Sequence, residues 1–116
     1  MSRGDGDGQM ARTKAEWADL AAKVATARKA GWDAANASQG DGGSANLDHI
    51  VLTDMLGVRE ATARNAGIDG YKHRDGYHLG GCSFGGQGQR RYDGVQAMHA
   101  ALKASGVPCY VHYQID

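Results

Sequence analysis

Tyr71-Lys72-His73-Arg74-Asp75-Gly76-Tyr77-His78-Leu79 is the stretch whose reading decides the fold. Two short runs rich in tyrosine and histidine flank Asp75-Gly76. That dipeptide favours a type I′ turn, in which both central residues take positive φ. The stretch therefore reads as a β-hairpin, Tyr71 to Arg74 and Tyr77 to Leu79. Upstream, Asn46 to Thr53 has an Ile50-Val51-Leu52 centre, which reads as a strand with both faces at least partly covered. Between them, Asp54 can cap a short helix through Val58, Ala61 and Thr62 to Ala66, stopped by Gly67. Downstream, the glycine pair Gly80-Gly81 suggests a bulge or a close backbone approach. A helix from Arg91 to Ser105 carries Val95, Met98, His99 and Leu102 on one face. Pro108 opens a last strand, in which Cys109, Val111, Tyr113 and Ile115 alternate with Tyr110, His112, Gln114 and Asp116. That is period two, with one face in the core and the other left for solvent, a ligand or a partner.

The order is β-α-β-β-α-β, the split βαβ order. It predicts an α+β domain with a ferredoxin-like four-stranded sheet and helices on one face. A further helix precedes it. Thr13-Lys14-Ala15-Glu16 is a capping box, Trp17, Leu20, Ala21 and Val24 form a narrow apolar stripe, and Gly31 is a natural stop. The expected organisation is a disordered tail over residues 1–10 and a single domain over 11–116. Within that domain, 11–31 is the N-terminal helix and 33–45 a glycine-rich linker.

Composition narrows the function. Thirteen basic and thirteen acidic residues give a formal net charge of zero, against general DNA binding. No apolar run approaches the length of a membrane span and no signal-peptide h-region is visible, so a soluble chain without membrane association is expected. Two cysteines, Cys82 and Cys109, are too few for a disulfide framework and point to reduced thiols and a cytoplasmic setting.

Gly85-Gly86-Gln87-Gly88-Gln89-Arg90-Arg91-Tyr92 carries the sharpest chemical signal. Glycines let backbone N–H groups converge, a helix N-terminus adds partial positive charge, and Arg90 and Arg91 supply fork-shaped donors matched to phosphate. It is neither a P-loop nor a dinucleotide fingerprint. The bland alternative is a solvated loop with two surface arginines; with phosphate bound there or not, replacing either arginine should barely affect folding. On the hairpin, Lys72, His73, Arg74 and His78 alternate with aromatics, which suits stacking a base and holding its phosphate, or else an exposed edge with charged gatekeepers. Gly86, Gln87, Gly88, Arg90 and Arg91 are thus candidate phosphate contacts, and Tyr77, Tyr92 and His78 candidate stacking residues. Asn46 and Asp48 are candidates for reading polar edges, although turn-stabilising bonds are their commoner use. His73, His78 and Cys82 lack the Cys-x2-Cys or His-x3-His spacing of zinc sites, so no metal or other cofactor is expected. No pair of carboxylates is spaced for acid–base work, so no catalytic residue is assigned and a non-enzyme is expected.

Asp41-Gly42-Gly43-Ser44-Ala45-Asn46-Leu47-Asp48, Gly76-Tyr77, Gly86-Gln87-Gly88 and the ending Val111-His112-Tyr113-Gln114-Ile115-Asp116 resemble a family of small phage- and prophage-encoded proteins. The resemblance implies phage origin and action in the host cytoplasm. Such proteins include nucleotide sponges of anti-CBASS or anti-Thoeris type, which sequester cyclic-dinucleotide or cyclic-ADP-ribose signals, and anti-CRISPR proteins. The leading expectation is a homo-oligomeric anti-defence protein that sequesters a small phosphate-bearing signal nucleotide without cleaving it. The second is an inhibitor of a host defence protein that blocks a nucleic-acid-binding effector. The third is a small hydrolase of a signal nucleotide.

Overall fold

A computed structural model describes residues 12–38, 48–85 and 88–114. The expected tail at 1–10 lies outside these residues, as does most of the expected linker. The order is α1 (Lys14–Ala37), β1 (His49–Leu52), α2 (Glu60–Asn65), β2 (Gly70–His73), β3 (Gly76–Leu79), α3 (Gly88–Ala104) and β4 (Cys109–His112). The architecture is α+β: three helices and one four-stranded antiparallel sheet of order β2-β3-β1-β4.

The capping box forms as read. The Thr13 backbone donates to Glu16 Oε1 at 2.8 Å and Glu16 N donates to Thr13 Oγ1 at 3.1 Å. The helix does not stop at Gly31, however, but runs through it to Ala37, so residues 33–37 are helix rather than linker. Gly31 is buried where α1 meets α3. A Cβ there would come within 2.5 Å of the Phe84 ring and 2.9 Å of the Gly94 carbonyl oxygen. Gly94 on α3 meets the same ring, at 2.5 Å. Sequence reasoning took Gly31 for conformational freedom; its role is close approach.

The hairpin is also present, but its two-residue loop is Arg74-Asp75, with His73 paired to Gly76. Neither loop residue has positive φ, so the type I′ expectation fails. Gly76 starts β3 at φ +146°, and a Cβ on it would lie 2.5 Å from the Leu52 carbonyl oxygen. The glycine serves the β1–β3 contact, not the turn. The helix expected from Asp54 begins only at Glu60, and α3 begins at Gly88 rather than Arg91.

Strand alternation sorts the side chains into two layers. Ile50, Leu52, Tyr77, Leu79 and Cys109 are buried together with Leu20, Val24 and Ala27 of α1 and Val95, Met98 and Leu102 of α3. The helix beside α3 is therefore α1, while α2 is a short connection that contacts β2. The opposite parity places His49, Val51, Tyr71, His73, His78, Tyr110 and His112 on the other face. No described helix or strand packs against that face.

Candidate functional site

The second face of the sheet gathers every histidine of the chain except His99. Register explains the gathering. His49 pairs with His112 across β1–β4, His78 lies opposite Val51 across β1–β3, and Tyr71 lies opposite His78 across β2–β3. The rings then pack on one another. Tyr71 and His78 stack at 4.8 Å with 18° between planes. His49 tilts against both His78 and His112, each at 4.9 Å. This layer of rings leaves Val51 and His78 buried although no described helix lies above them.

A hydrogen-bonded chain runs through the layer. His78 Nε2 lies 2.7 Å from Asp75 Oδ1, and His78 Nδ1 lies 2.7 Å from His49 Nε2. The Tyr110 hydroxyl donates to Asp75 Oδ2 at 2.7 Å. His73 Nδ1 is 3.5 Å from Asp75 Oδ1. The bonds from His78 and Tyr110 hold the Asp75 carboxyl well below the usual carboxylate range, and the same contact pushes the Tyr110 phenol up. An ionised Asp75 fixes the direction of the chain. His78 Nε2–H must donate to it, and between uncharged rings His49 Nε2–H then donates to His78 Nδ1. This is the arrangement by which a carboxylate orients an imidazole for proton transfer.

The predicted site residues do not converge on one place. Of the glycine–arginine loop, Gly86 and Gln87 lie outside the described residues, and so does Asn46. Gly88 is buried at the start of α3 and Tyr92 is exposed. Arg90 reaches back to the end of α1: its Nε donates to the Phe84 carbonyl at 2.7 Å, its Nη1 to the Ala35 carbonyl at 3.0 Å, and its Nη2 to Asn36 Oδ1. Arg91 Nε donates to the Asp48 carbonyl at 2.9 Å, and buried Asp48 accepts from the Gln114 backbone through Oδ1. These side chains tie helix and strand ends together. Tyr77 is fully buried on the core side, its hydroxyl donating to the Ile68 carbonyl at 2.6 Å. Its ring has no face to offer a base, which corrects the stacking role expected for it. His78 lies on the opposite side of the sheet from Tyr77, as parity requires.

No family model, curated protein or solved structure matches this chain. The site therefore rests on its own geometry. Sequence reasoning had His78 and the outward parity of Tyr110 and His112. It missed His49, Tyr71 and Asp75 as members of one site, since only the β1 register joins His49 to the hairpin. Cys82, once grouped with His73 and His78, is buried away from them with its thiol on the Leu79 carbonyl. Burial pushes that thiol up, away from the nucleophilic thiolate form. Elsewhere, an open groove of about 400 Å³ lies against Arg28, Trp32, Gly81 and Ser83. Its Arg28 donates to the Gly80 and Gly81 carbonyls at 2.8 and 2.7 Å, again a fastening of helix to strand end. Among the described residues no helix is long and apolar enough to cross a membrane.

Proposed function

We propose that this protein binds a small phosphate-bearing nucleotide on the histidine–tyrosine face of its sheet and holds it without cleavage, as a sponge for a signal nucleotide does. We also read the strand order as ferredoxin-like, with α1 taking the place beside α3 that the crossover helix usually fills. The observation carrying the functional reading is the Tyr71–His78 stack. One side of the Tyr71 ring packs on His78 and the ring is half-exposed, which suits it to stack a base. Stacking on such a platform contributes roughly 1–3 kcal/mol per base. His112, on the same face with its ring 5.7 Å from that of His78, is a planar group whose N–H suits a phosphate oxygen. Sheets of this kind present ring platforms to unstacked bases in other nucleic-acid-binding modules. Arg90 and Arg91 are not the phosphate contacts in this reading, because their guanidinium groups already serve backbone carbonyls.

A second reading has its own support. The Asp75–His78–His49 chain is built like an acid–base relay, which favours the hydrolase alternative. One experiment separates the readings: thermal-shift titration with cyclic dinucleotides and cyclic ADP-ribose, followed by recovery of the ligand and its identification by mass. The sponge reading expects a shift, intact ligand, and loss of the shift in Tyr71→Ala and His112→Ala. Altered ligand establishes the hydrolase. A shift untouched by both substitutions moves the site off this face. No shift with any nucleotide leaves the inhibitor of a nucleic-acid-binding effector as the standing reading.

A further inference from the structure

The corner of this face where the hairpin turns is arranged for more than ring packing. His73, Asp75 and His78 each offer a ligand atom within 4.8 Å of the other two, and Asp75 Oδ1 lies 2.7 Å from His78 Nε2 and 3.5 Å from His73 Nδ1. The ligands of one tetrahedral zinc, each about 2.0–2.1 Å from the ion, stand about 3.3–3.5 Å apart. The His73–Asp75 pair is already at about that spacing, and the hydrogen-bonded Asp75–His78 pair, at 2.7 Å, has to open by rotation of the exposed Asp75 side chain to admit an ion. The hairpin makes this possible: His73 ends β2, Asp75 is in the two-residue loop, and His78 is in β3 on the same face as His73.

The surroundings of these atoms decide the matter. A metal-binding imidazole needs its other nitrogen held, and a metal-binding carboxylate needs its other oxygen held. His78 and Asp75 meet these conditions. His78 Nδ1 is engaged by His49 Nε2, and Asp75 Oδ2 is engaged by the Tyr110 hydroxyl. The other nitrogen of His78 and the other oxygen of Asp75 face each other at 2.7 Å, with His73 Nδ1 3.5 Å from that oxygen.

We propose that His73, Asp75 and His78 form a site for a divalent transition-metal ion, with His49 and Tyr110 as the residues that position its ligands. Two imidazoles and one carboxylate, with no thiolate, suit zinc, cobalt or nickel, and leave coordination positions open on the solvent side. When the ion takes His78 Nε2, the proton there moves to Nδ1, which then donates to His49 Nε2, and His49 carries its own proton on Nδ1. The two tautomers invert together and no proton is lost from the pair. The missing zinc spacing in the sequence is accounted for. The third ligand is an aspartate in the turn, not a cysteine, and the pair is His-x4-His closed by a two-residue hairpin loop rather than by a helix turn.

The site stands independently of the nucleotide reading, and its test uses the metal alone. Untagged full-length protein is titrated calorimetrically with zinc chloride, and separately with cobalt chloride while visible absorption is recorded. The expected result is one equivalent bound at micromolar or tighter affinity, with cobalt bands characteristic of nitrogen and oxygen ligands in fewer than six positions. His73→Ala, whose side chain is exposed and whose loss leaves the fold intact, weakens binding by at least tenfold. Asp75→Asn does the same. Tyr110→Phe, which keeps all three ligands, weakens it by roughly tenfold with unchanged stoichiometry. His99→Ala, on α3, leaves it unchanged. Failure of the folded protein to bind zinc or cobalt overturns the proposal, and so does equal binding by His73→Ala and the parent. If Tyr110→Phe binds as tightly as the parent, the positioning role assigned to Tyr110 is overturned.

Discussion

Arg90 Nη1 donates to the Ala35 carbonyl oxygen at 3.0 Å, joining the first turn of α3 to the last turn of α1. The last turn of α1 contains no basic residue of its own, so Arg90 supplies from another element the cation that a helix C-terminus favours. An arginine in the first turn of α3 looks misplaced against that helix's own dipole. The end of α1 explains it. Arg90→Ala is expected to lower stability by roughly 1.5–3 kcal/mol, the range for hydrogen bonds involving a charged group. Arg90→Lys should recover only part, because an ammonium cannot reach Phe84, Ala35 and Asn36 at once as the fork does. Urea denaturation decides it: an unchanged midpoint in Arg90→Ala would return this side chain to the solvated surface.

Phe84 is the one non-glycine residue with positive φ among those described, at 50°, and its buried ring lies between Gly31 and Gly94. Replacing an exposed helix-interior glycine by alanine ordinarily stabilises by up to ~1 kcal/mol. Here the added methyl meets the ring at 2.5 Å, so Gly94→Ala should instead destabilise by roughly 1–3 kcal/mol. Adding Phe84→Leu should cost less in that background than in the parent, since the smaller side chain makes room. Additive effects in the double-mutant cycle would show that the ring and the glycine are not in contact.

Gly76→Val combines an unfavourable backbone conformation at φ +146° with a Cβ 2.5 Å from the Leu52 carbonyl oxygen. The expected loss is roughly 2 kcal/mol or more. The location of the strain distinguishes this from a turn defect. Hydrogen exchange should quicken along β1 and β3 together, whereas Arg74→Gly, in the two-residue loop, should leave the β1 amides protected. If exchange changes only at the hairpin tip, the glycine is a turn residue after all.

What could be read from the chain was local. The capping box at Thr13, the hairpin near Asp75 and the alternation after Pro108 rest on neighbours within a few residues, and each element is present, although the last strand ends at His112, short of the expected Tyr113 and Gln114. The misreadings share a cause: glycine has two uses, and the sequence does not say which applies. Gly31 and Gly76 were given turn or stop roles when the requirement was room for Phe84 and for Leu52. The histidine face was legible only in halves. His73 and His78 share a hairpin, but His49 and His112 join them through pairings across more than twenty residues of chain. Arg90 and Arg91 look like ligand groups because the carbonyls they serve belong to distant elements.

The alkaline side of the stability profile follows from groups on the core face. Burial raises the Cys82 and Cys109 thiols above their ordinary values, and burial likewise raises the Tyr77 phenol. In each case the folded state keeps its proton to higher pH than the unfolded chain. As pH climbs past the unfolded thiol value of about 8.5, the unfolded chain releases protons that the native state retains, and stability falls. Below that pH both states are protonated and these groups give no slope. The expected profile is flat from these groups up to about pH 8, then declines through pH 10 as the tyrosine adds to the thiols. Urea midpoints at pH 7.5, 9 and 10 measure it, and Cys82→Ala should show a shallower decline than the parent. The same burial should make native Cys82 react with a thiol reagent at pH 8 roughly tenfold or more slowly than in urea. A midpoint that rises between pH 8 and 10, with a promptly reactive Cys82, would place that thiol outside the core.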